Sequence, residues 1–231
     1  MERRIVIALD FSSEAAVLGF LDQLDPSTCR VKIGKELFTS CGPDLVRQVI
    51  ARGFDVFLDL KFHDIPNTVA GACKAAADLG VWMINVHASG GRAMLEAARE
   101  SIAGLNERPL LIGVTILTSL AASDLESIGM PADIEGQVGR LATLTKDCGL
   151  DGVVCSAAEA PILRARFDEP FALVTPGIRR PEDSLADQKR VIGPREAVEN
   201  GSSYLVVGRP ITQAENPVNA LKDFNLALAG V

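Results

Sequence analysis

Residues 55–80 read DVFLDLKFHDIPNTVAGACKAAADLG, and a change of period within them decides the fold. Over the first seven residues apolar side chains alternate: Val56, Leu58 and Leu60 share one face, and Asp59 and Lys61 share the other. That is the period of a β-strand. From Pro66 the period changes to that of a helix, with proline at the first helical position and Gly80 as the stop. A strand therefore runs straight into a helix. Working outward, seven more short apolar runs appear: RIVIALD (4–10), RVKIG (30–34), WMINVH (82–87), LLIGVT (110–115), DGVVCS (151–156), FALVTPG (171–177) and YLVVG (204–208). Helical patterns lie between most of them, among them SEAAVLGFLDQL (13–24) and IEGQVGRLATLTKDCG (134–149), and PVNALKDFNLALAG (217–230) follows the last. Eight strands alternating with helices predict an α/β fold, a single-domain (β/α)8 TIM barrel spanning residues 1–231. A doubly wound open sheet is the alternative; the turn after Asp10, FSSEAA, lacks the glycine that such sheets often carry there.

The chain of 231 residues has a formal net charge of −7 and no run of Lys or Arg, which argues against a nucleic-acid partner. An anionic ligand then needs a local positive site. No stretch approaches the length of a membrane span, and the apolar run near the N-terminus is too short for a signal sequence. Five cysteines without a C-x-x-C pair are expected to be reduced thiols packed as small hydrophobes, as in a cytoplasmic protein. Two histidines, His63 and His87, are too few and too scattered for a histidine metal site, and His87 is expected at the barrel mouth as a hydrogen-bonding residue.

The alternation rule sorts the charged residues. In a barrel the bulky aliphatic face of each strand meets the helices, so Asp10, Lys32, Asp59 and Lys61 are expected to point inward near the C-terminal ends of three strands, where such barrels place their active sites. Ionisable groups there are costly unless paired. One reading is a satisfied ion-pair plug. A second is a divalent-metal site in which the acids are ligands. In a third no metal is present and Lys61 is a general acid, since acidic neighbours favour the ammonium form. Lys32 favours the third, because a magnesium ion takes oxygen ligands and disfavours an ammonium beside it. A metal-free Asp-Lys-Asp array suits decarboxylation: an aspartate set against a substrate carboxylate repels it by about 4 kcal/mol at ~4 Å and an effective dielectric near ~20. That repulsion disappears when CO2 leaves. It covers only part of the ~8–23 kcal/mol that enzymes supply, so stabilisation of the carbanion has to contribute the larger share.

In barrels a phosphate often binds after the seventh and eighth strands. Here those loops read TPGIRRPEDSLADQKR (175–190) and VVGRPITQ (206–213). Gly208 would let backbone N–H groups approach an anion there and Arg209 would clamp it, with a short helix expected to follow; the alternative is a surface arginine. The longer loop has the composition of a lid.

The segments IALD (7–10), VKIGKELF (31–38), DLKFHDIPNTV (59–69), LTS (117–119), TPGIR (175–179) and VVGRPIT (206–212), in this order over nearly the whole chain, resemble the bacterial orotidine 5′-phosphate decarboxylase family. The resemblance implies conversion of orotidine 5′-phosphate to UMP and CO2, the last step of UMP synthesis, without metal or organic cofactor. It implies Lys61 as the proton donor, with Lys32, Asp59 and Asp64 completing the array and Asp64 supplied by the second subunit of a homodimer. Asp10 and Lys32 would bind the ribose, and Thr68 would reach it across the interface. Thr118 and Ser119 match the pyrimidine contacts, Gln188 would link base and phosphate, and Arg179, Gly208 and Arg209 match the phosphate end. A magnesium-dependent sugar-phosphate lyase of the related barrel group and a catalytically silent nucleotide-binding barrel remain the rival readings.

Overall fold

The computed structural model describes residues 3–180 and 192–230. Eight parallel strands close a barrel in the order of the sequence. They are β1 (Ile5–Ala8), β2 (Arg30–Gly34), β3 (Val56–Phe62), β4 (Met83–His87), β5 (Leu110–Val114), β6 (Gly152–Val154), β7 (Ala172–Pro176) and β8 (Tyr204–Val207). The connecting helices are α1 (Glu14–Leu21), α2 (Lys35–Ala51), α3 (Pro66–Ala77), α4 (Arg92–Ile102), α5 (Ala122–Ser127), α6 (Ile134–Asp147), α7 (Ala160–Arg164) and α8 (Pro194–Glu199). After β8 come α9 (Arg209–Thr212) and α10 (Pro217–Ala227). The (β/α)8 expectation holds and the open sheet is excluded by the pairing of β1 with β8.

The two faces of each strand separate as the alternation predicts. Ile5, Ile7, Leu9, Val31, Ile33, Val56 and Leu58 pack in the layer between barrel and helices. Val6, Ala8, Phe57, Met83, Ile112, Val174 and Val206 form a separate cluster inside the barrel. At its N-terminal end the interior is closed by Trp82 and Tyr204, edge to face with centroids 5.0 Å apart, and the Arg30 guanidinium lies 4.3 Å from the Trp82 centroid. Asp55 pairs with Arg30 at 3.2 Å.

Helix starts follow local chemistry. The Ser13 hydroxyl caps α1 by accepting from the Ala16 N–H, and Pro66 opens α3. Residues Ala88–Gly90 form a 3-10 turn before α4, with Gly91 at φ 83°. The sequence pattern does not reveal α2, because Gly42 and Pro43 kink it and interrupt its period. Cys29, Cys73, Cys148 and Cys155 are buried and Cys41 half-buried, all as free thiols. Burial pushes the Cys29 and Cys73 thiols up to about 12. No helix among the described residues is long and apolar enough to cross a membrane.

Barrel closure leaves no slack at Gly152, which pairs with Ala172. A Cβ there would lie 2.2 Å from the Ala172 backbone oxygen. Gly152→Ala is expected to destabilise the fold by about 1–3 kcal/mol, read as a lower urea midpoint at unchanged slope. An unchanged midpoint would mean that β6 and β7 part without cost.

Candidate active site

The rim at the C-terminal ends of the strands is divided. Inward positions of β1 to β4 and their continuations carry polar groups: Asp10, Lys32, Asp59, Lys61, Asn85 and His87. Those of β5 to β8 carry Val114, Val154, Val174 and Val206. Between the halves lies a cavity of about 200 Å³, with Lys32, Asp59 and Lys61 on one side and Ile116, Leu117 and Thr118 completing the apolar side.

Asp59 is the centre of the polar half. It is 8% exposed, and Lys32 is 9% exposed. Lys61 Nζ lies 2.5 Å from Asp59 Oδ1, and Lys32 Nζ lies 3.4 Å from Oδ2. The Asn85 amide donates to Oδ1 at 2.7 Å. Burial alone raises the proton affinity of this carboxyl; the charges of Lys32 and Lys61 and the hydrogen bonds from Lys61 and Asn85 outweigh it and hold Asp59 below its usual range. Asp10 stands past the end of β1 and is itself exposed, yet its Oδ1 is 3.7 Å from Lys32 Nζ. Lys32 thus bridges two carboxylates.

Alternation puts Asp59 and Lys61 on one face, with Cα atoms roughly 7 Å apart in a regular strand, a span that a lysine side chain covers. The strand is nevertheless irregular between them. Here Leu58 pairs with Ile84 and Phe62 pairs with Val86, so Asp59, Leu60 and Lys61 span the same rise as Asn85 alone. Lys61 adopts φ 52°, a left-handed conformation that for a non-glycine residue costs of order 1–3 kcal/mol. Its N–H donates to the Asn85 side-chain oxygen at 2.8 Å.

Asn85 was not among the residues singled out from the sequence. It is fully buried, on the same face of β4 as Met83 and His87, and in the sequence it is marked only as a polar residue within the apolar run WMINVH. His87 lies at the mouth as expected, with its ring 5.5 Å from that of His63. Its pKa is lowered to about 4, first by burial and then by the charges of His63, Lys35 and Lys61, with Asp59 opposing.

The remaining predicted residues are distributed as follows. Thr118 lines the cavity, whereas Ser119, next to it in the loop, is exposed and outside that lining. Asp64 and Thr68 lie in a continuously exposed stretch from His63 to Thr68, where Ile65 is 68% exposed. The Asp64 carboxylate accepts from the Ile65 N–H at 2.7 Å, and among the described residues it forms no ion pair. Gly208 approaches Asp10: a Cβ on Gly208 would stand 3.7 Å from Asp10 Oδ2. Arg209 follows as the exposed first residue of α9. Arg179 is buried, and its backbone N–H donates to the Ile192 carbonyl. Gln188 lies outside the described residues. No three His, Cys, Asp or Glu side chains among the described residues come together as a metal site.

Buried, mutually paired ionisable groups at the C-terminal rim, open to a small cavity, mark this barrel as an enzyme. The chain belongs to the Orotidine 5'-phosphate decarboxylase / HUMPS family, whose profile matches residues 3–224. It is 60% identical to orotidine 5'-phosphate decarboxylase of Chromobacterium violaceum, over 96% of this chain and 90% of that protein. It is 55% identical to the enzyme of the same name from Aliivibrio fischeri, over 100% of this chain and 99% of the relative. The crystal structure of orotidine 5'-phosphate decarboxylase from Lactobacillus acidophilus superposes with a TM-score of 0.88 at 37% identity, covering 99% of this chain and 100% of that one.

His87 generates a prediction. Between about pH 4 and the ordinary imidazole value of 6.5 the unfolded chain binds a proton at this position and the folded chain does not, so folding stability falls on acidification through that window. Proton NMR of the two histidines is expected to give one ring titrating near pH 4, and that signal should be absent from His87→Gln. An unshifted midpoint for both rings would contradict the burial of His87.

Proposed function

We propose that the chain decarboxylates orotidine 5′-phosphate to UMP and CO2, the last step of pyrimidine nucleotide synthesis, in the cytoplasm and without metal or organic cofactor. The observation that carries this reading is the Asp59 carboxylate held between Lys32 and Lys61 at the edge of an apolar cavity. The pyrimidine occupies the cavity against the apolar half of the rim and the loop of Thr118 and Ser119, with its carboxylate toward Asp59. Asp59 repels the carboxylate and ceases to do so once CO2 has left. The C6–carboxylate bond breaks, its electron pair stays on C6, and the adjacent ammonium of Lys61 stabilises the carbanion and donates a proton to it. Lys61 is left neutral and regains its proton from solvent. Asp10 and Lys32 hold the ribose. Gly208, beside Asp10 at the rim, and Arg209 after it hold the phosphate together with Arg179 beyond the end of β7, and Gln188 spans base and phosphate. A magnesium-dependent reaction fits less well, because Lys32 occupies with an ammonium the position between Asp10 and Asp59 that a divalent cation would need.

Asp64 and Thr68 serve the neighbouring site in a homodimer. In support, both lie on the exposed stretch with the solvent-facing Ile65, and Asp64 is left without a cationic partner among the described residues of its own chain.

Turnover of orotidine 5′-phosphate in excess EDTA, followed by ultraviolet absorbance, tests the reaction. Rapid conversion to UMP is expected; conversion only after magnesium is restored would favour the metal-dependent reading. Lys61→Ala is expected to fold normally and to lose nearly all turnover, and wild-type-like turnover from that variant would remove Lys61 as the proton donor. Asp64→Ala is likewise expected to be nearly inactive. Mixing the two inactive variants and allowing subunits to exchange should restore about a quarter of wild-type activity, since half the dimers then carry one complete site. No recovery on mixing would put Asp64 in its own chain's site.

A further inference from the structure

We infer that Asn85 is a positioning residue that holds Asp59 and Lys61 in reacting geometry. The inference rests on the proposed decarboxylation and extends it to a residue that touches no substrate. The Asn85 side chain is fully buried and uses both ends of its amide. Its oxygen accepts from the Lys61 backbone N–H at 2.8 Å, and its NH2 donates to Asp59 Oδ1 at 2.7 Å. The orientation of the amide follows from its partners, since an N–H requires the oxygen and a carboxylate requires the nitrogen.

The register explains why such a residue is needed. Three residues of β3 stand opposite Asn85, so the Lys61 N–H faces a side chain where a regular ladder would offer a backbone carbonyl. Without a partner, that part-buried N–H and the left-handed backbone at Lys61 would favour a return to ordinary strand geometry. Lys61 Nζ would then no longer be held on the carboxylate oxygen that it shares with Asn85. Among side chains of its length, only asparagine carries both a carbonyl oxygen and an NH2. Leucine or alanine offers neither group, and aspartate accepts from Lys61 but sets a second carboxylate against Asp59.

The test is steady-state kinetics of Asn85→Ala and Asn85→Asp on orotidine 5′-phosphate, with folding checked by circular dichroism and thermal unfolding. The expected result is a fall in kcat of about 10- to 100-fold, the scale of losing a hydrogen bond to a charged group. KM should stay within about threefold of wild type, because the amide does not reach the ligand. A folded Asn85→Ala with kcat within about twofold of wild type overturns the inference, as does a loss confined to KM. If alanine does not fold, the isosteric aspartate carries the test; if neither folds, Asn85 is a packing residue and the inference fails. Wild-type turnover is the control that separates the two proposals. If the wild type does not convert this substrate, the decarboxylation reading fails, and a crystal structure of Asn85→Ala decides the positioning role independently. Lys61 should then leave the left-handed region and Nζ should part from Asp59, whereas retention of both overturns the inference.

Discussion

A single buried carboxylate organises the mouth of this barrel. Asp59 is removed from water, and a carboxylate so placed is tolerated only if other groups replace the solvent. Three do so from three adjacent strands: the ammonium of Lys32 on β2, that of Lys61 on β3 and the amide of Asn85 on β4. β3 departs from regular geometry beside that carboxylate, where the Lys61 N–H takes the Asn85 side chain as its partner. The same carboxylate accounts for the position of Lys32, which ties the exposed Asp10 to the buried centre. Local strain at Lys61 is offset by the charge pairing around Asp59.

The polar cluster and the apolar strands opposite it depend on each other. In a solvated cleft, pairs of this kind are worth little. Here Val114, Val154, Val174 and Val206 supply one wall of the cavity and no competing hydrogen bonds. The lower effective dielectric strengthens both the attraction within the array and the repulsion that it exerts on an added anion.

Much of this was readable from the amino-acid order, for identifiable reasons. In β2 and at the end of β3 charged residues alternate with aliphatic ones, so the inward placement of Lys32, Asp59 and Lys61 follows from parity. Parity survives the irregularity in β3 because the surplus there is two residues, an even number. The irregularity itself left no trace, since Lys61 is neither glycine nor asparagine, the residues that usually signal a left-handed backbone. Asn85 passed unnoticed for a related reason. A lone amide in an apolar strand has no spacing pattern, and its importance lies in a register that only the folded pair of strands defines. The kink at Gly42 and Pro43 hid α2 by breaking its period. The burial of Arg179 and the exposure of Arg209 are likewise tertiary outcomes that loop composition does not encode.

The Trp82, Tyr204 and Arg30 stack at the other end of the barrel also bears on how the enzyme works. It stoppers the floor with aromatic surface and a paired cation, so the barrel is a cup and not a tube. Whatever enters over the rim has to leave over the rim. Incoming and outgoing molecules share one doorway, and the contents of the cup must be exchanged completely before another cycle can begin.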